Sequence, residues 1–421
     1  LIFVDYDEQT LIDSNCNEKT LFDDVLINVF EYLSELKEIL SAGRVCKTWR
    51  TASLNEASWK NVHIKFRSNN QMKRSKHSPY YSNFKRMDIP YDRYKKISSL
   101  PNLTHLRILG GFNSFIKLPD TLEYFEMGDN FNRKFETPPN LIKLIMGSSF
   151  NQPVTLLNGL KYLQLGYSYS HILDLPSTLE IFKMGSDYNL TCKLPSSLLE
   201  LQLSGSFDQE LDLSQCPNLL KFRIGQIFNE IVTFPLTLVI LELGFLFNKK
   251  IDITKLDNLK EFHMGHGLFN QHVILPKNLE FLTINGKFNQ QIILPNSLRK
   301  LRIYGSFNQQ LVLPFNLEEL YLGDSYNMPL ELNQNLKVFE MGYSFNQQVD
   351  FPESLIKLEI GRGFEQPIKK FPSSLEELYI FSAYCSEPVP DIPLTVKKGS
   401  IDRSLIRLMK PHHLGLGIEF Y

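Results

Sequence analysis

An aromatic side chain returns along most of this chain at nearly constant spacing, and that rhythm restricts the possible fold more than any other feature. The positions are Phe112, Phe131, Phe150, Tyr169, Tyr188, Phe207, Phe228, Phe247, Phe269, Phe288, Phe307, Tyr326, Phe345, Phe364 and Tyr384. Eleven of the fourteen intervals are 19 residues; the others are 21, 22 and 20. Asn follows the aromatic in eleven of the fifteen copies, and a Leu stands nine residues before it, or ten in the case of Leu259 and Phe269. A Pro usually lies two or three residues ahead of that Leu. A unit this short cannot enclose a core of its own. It must be one coil of a stack whose neighbouring copies bury one another's apolar residues.

Residues 288–303, FNQQIILPNSLRKLRI, carry every element of the pattern. Leu301 and Ile303 alternate and so point the same way from a short strand, and Ile292 and Leu294 do so in a second extended segment. Pro295 has no N–H to donate and suits the corner between the two segments. The Asn after the aromatic is placed to bond backbone at the opposite corner. The block resembles FNIP repeats, which are relatives of the leucine-rich repeat. The unit is shorter than the ~20–29 residues common in leucine-rich repeats, which leaves little room for a helix and implies an all-extended coil. Its Asn also falls two positions later than the usual ladder asparagine, as Asn308 does in LRIYGSFN.

Residues 19–64 have a different character. In LFDDVLINVFEYL, the apolar residues Leu21, Val25, Leu26, Val29, Phe30 and Leu33 fall on one helical stripe. Asp23 and Asp24 lie in the first turn, where the helix dipole favours acids. Leu36, Ile39 and Leu40 lead on to RVCKTWR and to Trp59. This run resembles an F-box: a Leu/Ile-x-x-Phe-x-x-Leu helix, a Val-Cys-Lys-x-Trp-Arg segment and a closing Trp. The matching residues are Leu21, Leu26, Ile27, Val29, Phe30, Leu33, Val45, Cys46, Lys47, Trp49, Arg50 and Trp59, with Phe22 where the family has Pro. The family's apolar surface binds the Skp-type linker subunit of cullin–RING ubiquitin ligases. The resemblance implies that Leu21, Leu26, Phe30, Leu33, Val45, Cys46 and Trp49 serve that contact or the small core beneath it. A helical cap sealing the first coil would account for the apolar stripe, although not for the VCKTWR string.

Taken together, the two resemblances are to F-box and FNIP repeat-containing proteins of A+T-rich protists and giant DNA viruses. The 31 Asn against four Ala fit an A+T-rich source. The expected architecture is α+β and multidomain: an acidic tail at 1–18, an all-α F-box at 19–64 and a basic linker at 65–99. A solenoid of about fifteen 19-residue coils follows at 100–395, then a C-terminal cap at 396–421 in which 404–410 reads as a helical turn.

Charge and cysteine usage narrow the function further. The net charge of −1 argues for neither nucleic acid nor membrane. Residues 65–96 hold ten Lys/Arg against Asp88 and Asp92, interleaved with Tyr80, Tyr81, Tyr91 and Tyr94. Such a run can hold RNA, but it reads better as a solvated connector that includes an irregular first coil. The five cysteines show no metal or disulfide spacing, which suits a reducing compartment. No stretch has the features of a signal peptide or a membrane span, so a cytoplasmic or nuclear protein is expected (the host cytoplasm, for a viral source). The HMGHGLFNQH histidines match no zinc pattern, and no nucleophile–base–acid set can be assembled. A non-catalytic protein without cofactor or metal is expected.

If each repeat strand points Leu and Ile inward, the residues between them stack into outward columns. Those columns include Tyr124, Tyr162, Lys221, Arg223, Phe281, Lys300, Arg302 and Tyr321, and these eight are the candidate target-binding residues. The expected function is that of a ligase adaptor. The F-box would dock a Skp-type subunit, and the repeats would bind a protein target.

Overall fold

The computed structural model describes residues 100–381 and 390–402 continuously, together with residues 41, 49, 53, 56–59, 62–65, 80–89 and 418–420. The chain divides into two units, Leu1–Leu198 and Leu199–Tyr421. In the first, seven strands among the described residues lie parallel in sequence order: His63–Lys65, Arg86–Ile89, His105–Ile108, Tyr124–Glu126, Lys143–Ile145, Tyr162–Gln164 and Ile181–Lys183. In the second, the same arrangement runs through Glu200–Gln202, Lys221–Arg223, Ile240–Glu242, Glu261–His263, Phe281–Ile284 and Lys300–Ile303. It continues through Glu319–Tyr321, Val338–Glu340, Lys357–Ile360, Glu377–Ile380, Lys398–Ile401 and Ile418–Phe420. Each repeat supplies one strand and one coil. Lys300 therefore pairs with Glu319, one period further on.

The corners follow from residue chemistry. At the entry to the strand, the Pro295 carbonyl accepts the Leu298 N–H at 3.1 Å, and Pro119, Pro138, Pro176, Pro235 and Pro314 do the same for their own leucines. Proline is tolerated there because only its carbonyl is used. At the exit, the aromatic N–H donates to a glycine carbonyl three residues back, as Phe150 does to Gly147 at 3.0 Å. Successive coils touch at this corner: a Cβ on Gly166 would sit 1.9 Å from the Gly147 carbonyl oxygen, so no larger residue fits.

Two ladders run through each stack. Phe131, Phe150 and Tyr169 stack at 6.1 Å with rings 3° and 7° from parallel, and Phe269, Phe288, Phe307 and Tyr326 do so at 5.9–6.1 Å within 10°. Rings at these separations are offset, the arrangement the aromatic quadrupole favours. All are buried. Beside them the asparagines form a second ladder. The Oδ1 of Asn289 accepts the Asn308 N–H at 2.9 Å, and Asn308 does the same for Asn327 at 2.8 Å. The expected corner hydrogen bond is thus made to the next coil. Ile292, Leu294, Leu298, Leu301 and Ile303 fill the interior of a representative coil.

The parallel ladder reaches into both flanking segments. In the expected linker, strand Arg86–Ile89 buries Met87 and Ile89 beside His105–Ile108, and Tyr80 and Phe84 are buried as well. The charge run conceals this apolar alternation in the sequence. Trp59 is fully buried, donates its indole N–H to the Ser53 carbonyl at 2.8 Å and packs on Tyr80 and Phe84 at 5.3 and 5.7 Å. In the expected cap, strand Lys398–Ile401 sets Gly399 opposite Leu378, where a Cβ would lie 2.0 Å from the Leu378 carbonyl oxygen. Glycine in place of the usual Leu or Phe erases the repeat signature there.

Helix is nearly absent among the described residues. Ser41, Trp49 and Ser53 have α-helical backbone, and Glu56–Trp59 and Tyr81–Asn83 each form one 3-10 turn. Leu21, Leu26, Phe30, Leu33, Val45 and Cys46 lie outside the described residues, as do Tyr384 and residues 404–410. The fold stated here is therefore the β-solenoid, and the α part of the α+β expectation falls on the undescribed segment.

Two stability measurements test the ladders. Phe307→Ala removes a fully buried ring between Phe288 and Tyr326, and a loss of ~3–5 kcal/mol is expected in urea denaturation. A loss below about 1 kcal/mol, the size of a surface change, would contradict the stacking. The Tyr326 hydroxyl is buried without a protein partner, and burial pushes its pKa up to about 12. Tyr326→Phe should raise stability by ~1 kcal/mol, because an unsatisfied polar atom is removed and the ring is kept.

Candidate binding face of the strands

The three-residue strands from Tyr124–Glu126 to Val338–Glu340 bury their middle residue and leave the first and third half-buried, so two outward columns run along each stack. In the first unit the leading column is His105, Tyr124, Lys143, Tyr162 and Ile181, and the other is Arg107, Glu126, Ile145, Gln164 and Lys183. Lys143 lies between two rings, its Nζ 4.1 Å from the centroid of Tyr162 and 5.5 Å from that of Tyr124. His105 stacks on the other side of Tyr124 at 5.5 Å. The Tyr124 hydroxyl donates to Glu126 and that of Tyr162 to Gln164, which ties the two columns together.

In the second unit, oppositely charged residues pair along the columns. Arg223 Nε lies 2.9 Å from Glu242, and Lys221 is 3.9 Å from Glu200. Lys300 pairs with Glu319, and Lys357 with Glu340. Burial alone would raise the Glu319 carboxyl, but Lys300, the Tyr321 hydroxyl and Arg302 together hold it below the usual carboxylate range. Burial and the hydrogen bond to Glu319, 2.9 Å long, push Tyr321 up to about 12. Burial and the neighbouring Glu340 raise Glu359.

The structure places all eight candidate face residues at outward, half-buried positions. Tyr124 and Tyr162 share Lys143 in the first unit. Lys221 and Arg223 lie on one strand of the second unit. Phe281, Lys300, Arg302 and Tyr321 come together as a four-residue cluster, in which both cations lie over both rings at 4.9–5.5 Å. Sequence reasoning placed Glu242 on the outward face but missed Glu200 and Glu340, and it missed the pairing of all three with the cations one repeat away. The signal was present: opposite charges one repeat apart, as at Arg223 and Glu242, must meet in neighbouring coils. Of the F-box contact set, Trp49 is half-buried, and the other six lie outside the described residues.

Stacked parallel coils of one strand each, with Leu-rich interiors and an asparagine ladder, define a leucine-rich-repeat-like solenoid. Residues 269–306 and 345–382 match the FNIP Repeat family, and residues 23–65 match the F-box-like family. The chain thus carries FNIP repeats behind an F-box-like segment. Among solved structures it is similar to CroV588, described as a novel circular LRR protein, at 24% identity and a TM-score of 0.57. That likeness covers 81% of this chain and 66% of the other, so the chain spans just under two thirds of that protein's length. YopM from Yersinia enterocolitica WA-314 is similar at 19% identity and a TM-score of 0.42, covering 79% of this chain and 90% of that one. TLR13, solved in complex with ssRNA13, is similar at 16% identity and a TM-score of 0.45, covering 74% and 59%. At these identities the CroV588 likeness establishes the fold alone. No curated protein matches the chain. Among the described residues, no helix is long and apolar enough to cross a membrane.

His105 gives the face a pH dependence. Burial first, and then the charges of Arg86 and His63, lower its pKa from 6.5 to about 4. The unfolded chain therefore takes up this proton before the folded one does. The stabilisation is complete above pH 6.5 and is lost as pH falls through about 4. Urea midpoints measured across that window should fall more steeply for wild type than for His105→Gln. Parallel curves would remove His105 from the acid response.

Proposed function

We propose that the protein is a substrate-recruiting adaptor of a Skp–cullin–F-box type ubiquitin ligase, working in the cytoplasm or nucleus. The observation that carries this reading is the presence on one chain of an F-box-like segment at 23–65 and solenoid coils that carry an aromatic and charged strand face in each unit. F-box-like segments dock Skp-type linkers, and solenoid faces bind proteins. Joined, they hold a target near a ubiquitin-charged enzyme, which supplies rate by proximity without any catalytic residue in this chain. The segment 19–64 is read as the all-α docking module, with Leu21, Leu26, Phe30, Leu33, Val45, Cys46 and Trp49 in the Skp-type contact or the core beneath it. Tyr124, Tyr162, Lys221, Arg223, Phe281, Lys300, Arg302 and Tyr321 are assigned to the target.

Phe30 offers the cleanest test. Leu26, Phe30 and Leu33 follow helical i, i+4, i+7 spacing and share one face. An aromatic anchor at such an interface carries more than ~2 kcal/mol, equivalent to about thirtyfold in affinity. Phe30→Asp adds an unpaired charge and is expected to abolish co-precipitation of the Skp-type subunit, while the solenoid melts as in wild type. Equal retention of that subunit by both proteins would refute the docking assignment. Its absence from both would leave a protein-binding scaffold with no ligase connection.

A further inference from the structure

Three arginines occupy the third position of repeat strands and so stand in the same outward column of their stacks: Arg107, Arg223 and Arg302. The residue one coil beyond Arg107 is Glu126, which it meets at 3.0 Å; the residue beyond Arg223 is Glu242, met at 2.9 Å. Beyond Arg302 the column holds Tyr321, and before it Thr283. Among the described residues Arg302 has no ion-pair partner. Its guanidinium is instead held between two rings, 4.9 Å from the centroid of Tyr321 and 5.5 Å from that of Phe281. The nearby carboxylate of Glu319 is already engaged by Lys300 and the Tyr321 hydroxyl. The Tyr321 hydroxyl lies beside the guanidinium as well, but no carboxylate of the chain pairs with it, and a guanidinium held in this way is suited to taking a carboxylate with two parallel N–H···O bonds.

We propose that Arg302, set between Phe281 and Tyr321, is the docking point for a carboxylate side chain in an extended acidic segment of the target protein. The proposal rests on the reading of the strand face as the target-binding surface and names the chemistry of the target at this point. The incoming carboxylate supplies from outside the counter-charge that Glu126 and Glu242 supply from within the column at the other two arginines. Lys300, over the same rings, is paired with Glu319, which leaves Arg302 as the unneutralised cation of the cluster.

The test uses the full chain and a fluorescein-labelled peptide of about ten residues alternating Glu and Ala, read by anisotropy, with the Gln–Ala peptide as its neutral counterpart. A carboxylate held by two bonds is a charge-assisted contact, so Arg302→Gln should weaken binding of the acidic peptide roughly fivefold or more. Arg107→Gln, which removes an arginine already paired within the chain with Glu126 and outside the assigned target face, should change it less than about twofold. Tyr321→Glu is the variant that guards against misfolding. It supplies the column's missing carboxylate, so it should melt as wild type does and lose the peptide as Arg302→Gln does. Equal binding of the Gln–Ala peptide would overturn the proposal, and so would equal losses in the Arg107 and Arg302 variants. Arg302-dependent binding of a phosphoserine peptide or of labelled oligouridine, with none of the acidic peptide, would overturn the carboxylate assignment. Co-precipitation of the Skp-type subunit is independent of this result. Its absence from wild type would sink the ligase reading and leave the peptide measurement standing.

Discussion

The hydrogen bonding of one coil's strand to the next sets everything else in each stack. Parallel strands lie ~4.8 Å apart. Every interior residue of a coil must therefore meet a counterpart of similar size and chemistry in the next. Rings meet rings, asparagine meets asparagine, and glycine meets glycine at the corner where any side chain would collide. The repeated sequence is the consequence of this geometry. A residue that cannot tolerate its own image one coil away is excluded from the interior.

The same rule accounts for how coils of unequal length stay in phase. In the two coils that exceed the common period by more than one residue, no proline carbonyl receives the corner leucine's N–H. From Phe207 to Phe228 Cys216 accepts from Leu219 in place of Pro217, and from Phe247 to Phe269 there is no proline. An aspartate turn takes its place. Asp212 accepts the Ser214 N–H at 2.8 Å, and Asp252 accepts the Thr254 N–H at 3.1 Å. A second turn then closes from Cys216 to Leu219, and from Leu256 to Leu259. Two extra residues in each coil are taken up at this corner and the third of the longer coil between its strand and Phe269, and the strands on either side keep their register.

Much of this could be read from the sequence because the stack copies one local pattern. The spacing alone located the strands, the buried rings, the proline corner and the outward positions. Three features could not be read, for separate reasons. Strand Arg86–Ile89 lies within a basic run whose charge masks the Met87/Ile89 alternation, and Lys398–Ile401 carries Gly399 where the pattern has a large apolar residue. The outward residues were identified singly, whereas their energetics depends on the residue one period away. Whether Arg302 is neutralised is decided at Tyr321, a position with no local signal of its own.

The two-column arrangement also bears on how such a surface can change. An outward side chain touches its strand neighbour and its counterparts in adjoining coils, and nothing in the interior beneath it depends on its charge. Exchanging Tyr for Glu, or Arg for Thr, in one column edits a single rung of the face and leaves the buried rings untouched. Duplicating one repeat inserts a whole rung without altering the kind of neighbour any interior residue meets. Interior and exterior are thus inherited on different terms: the first is held to a single recurring solution, while the second can be rewritten position by position.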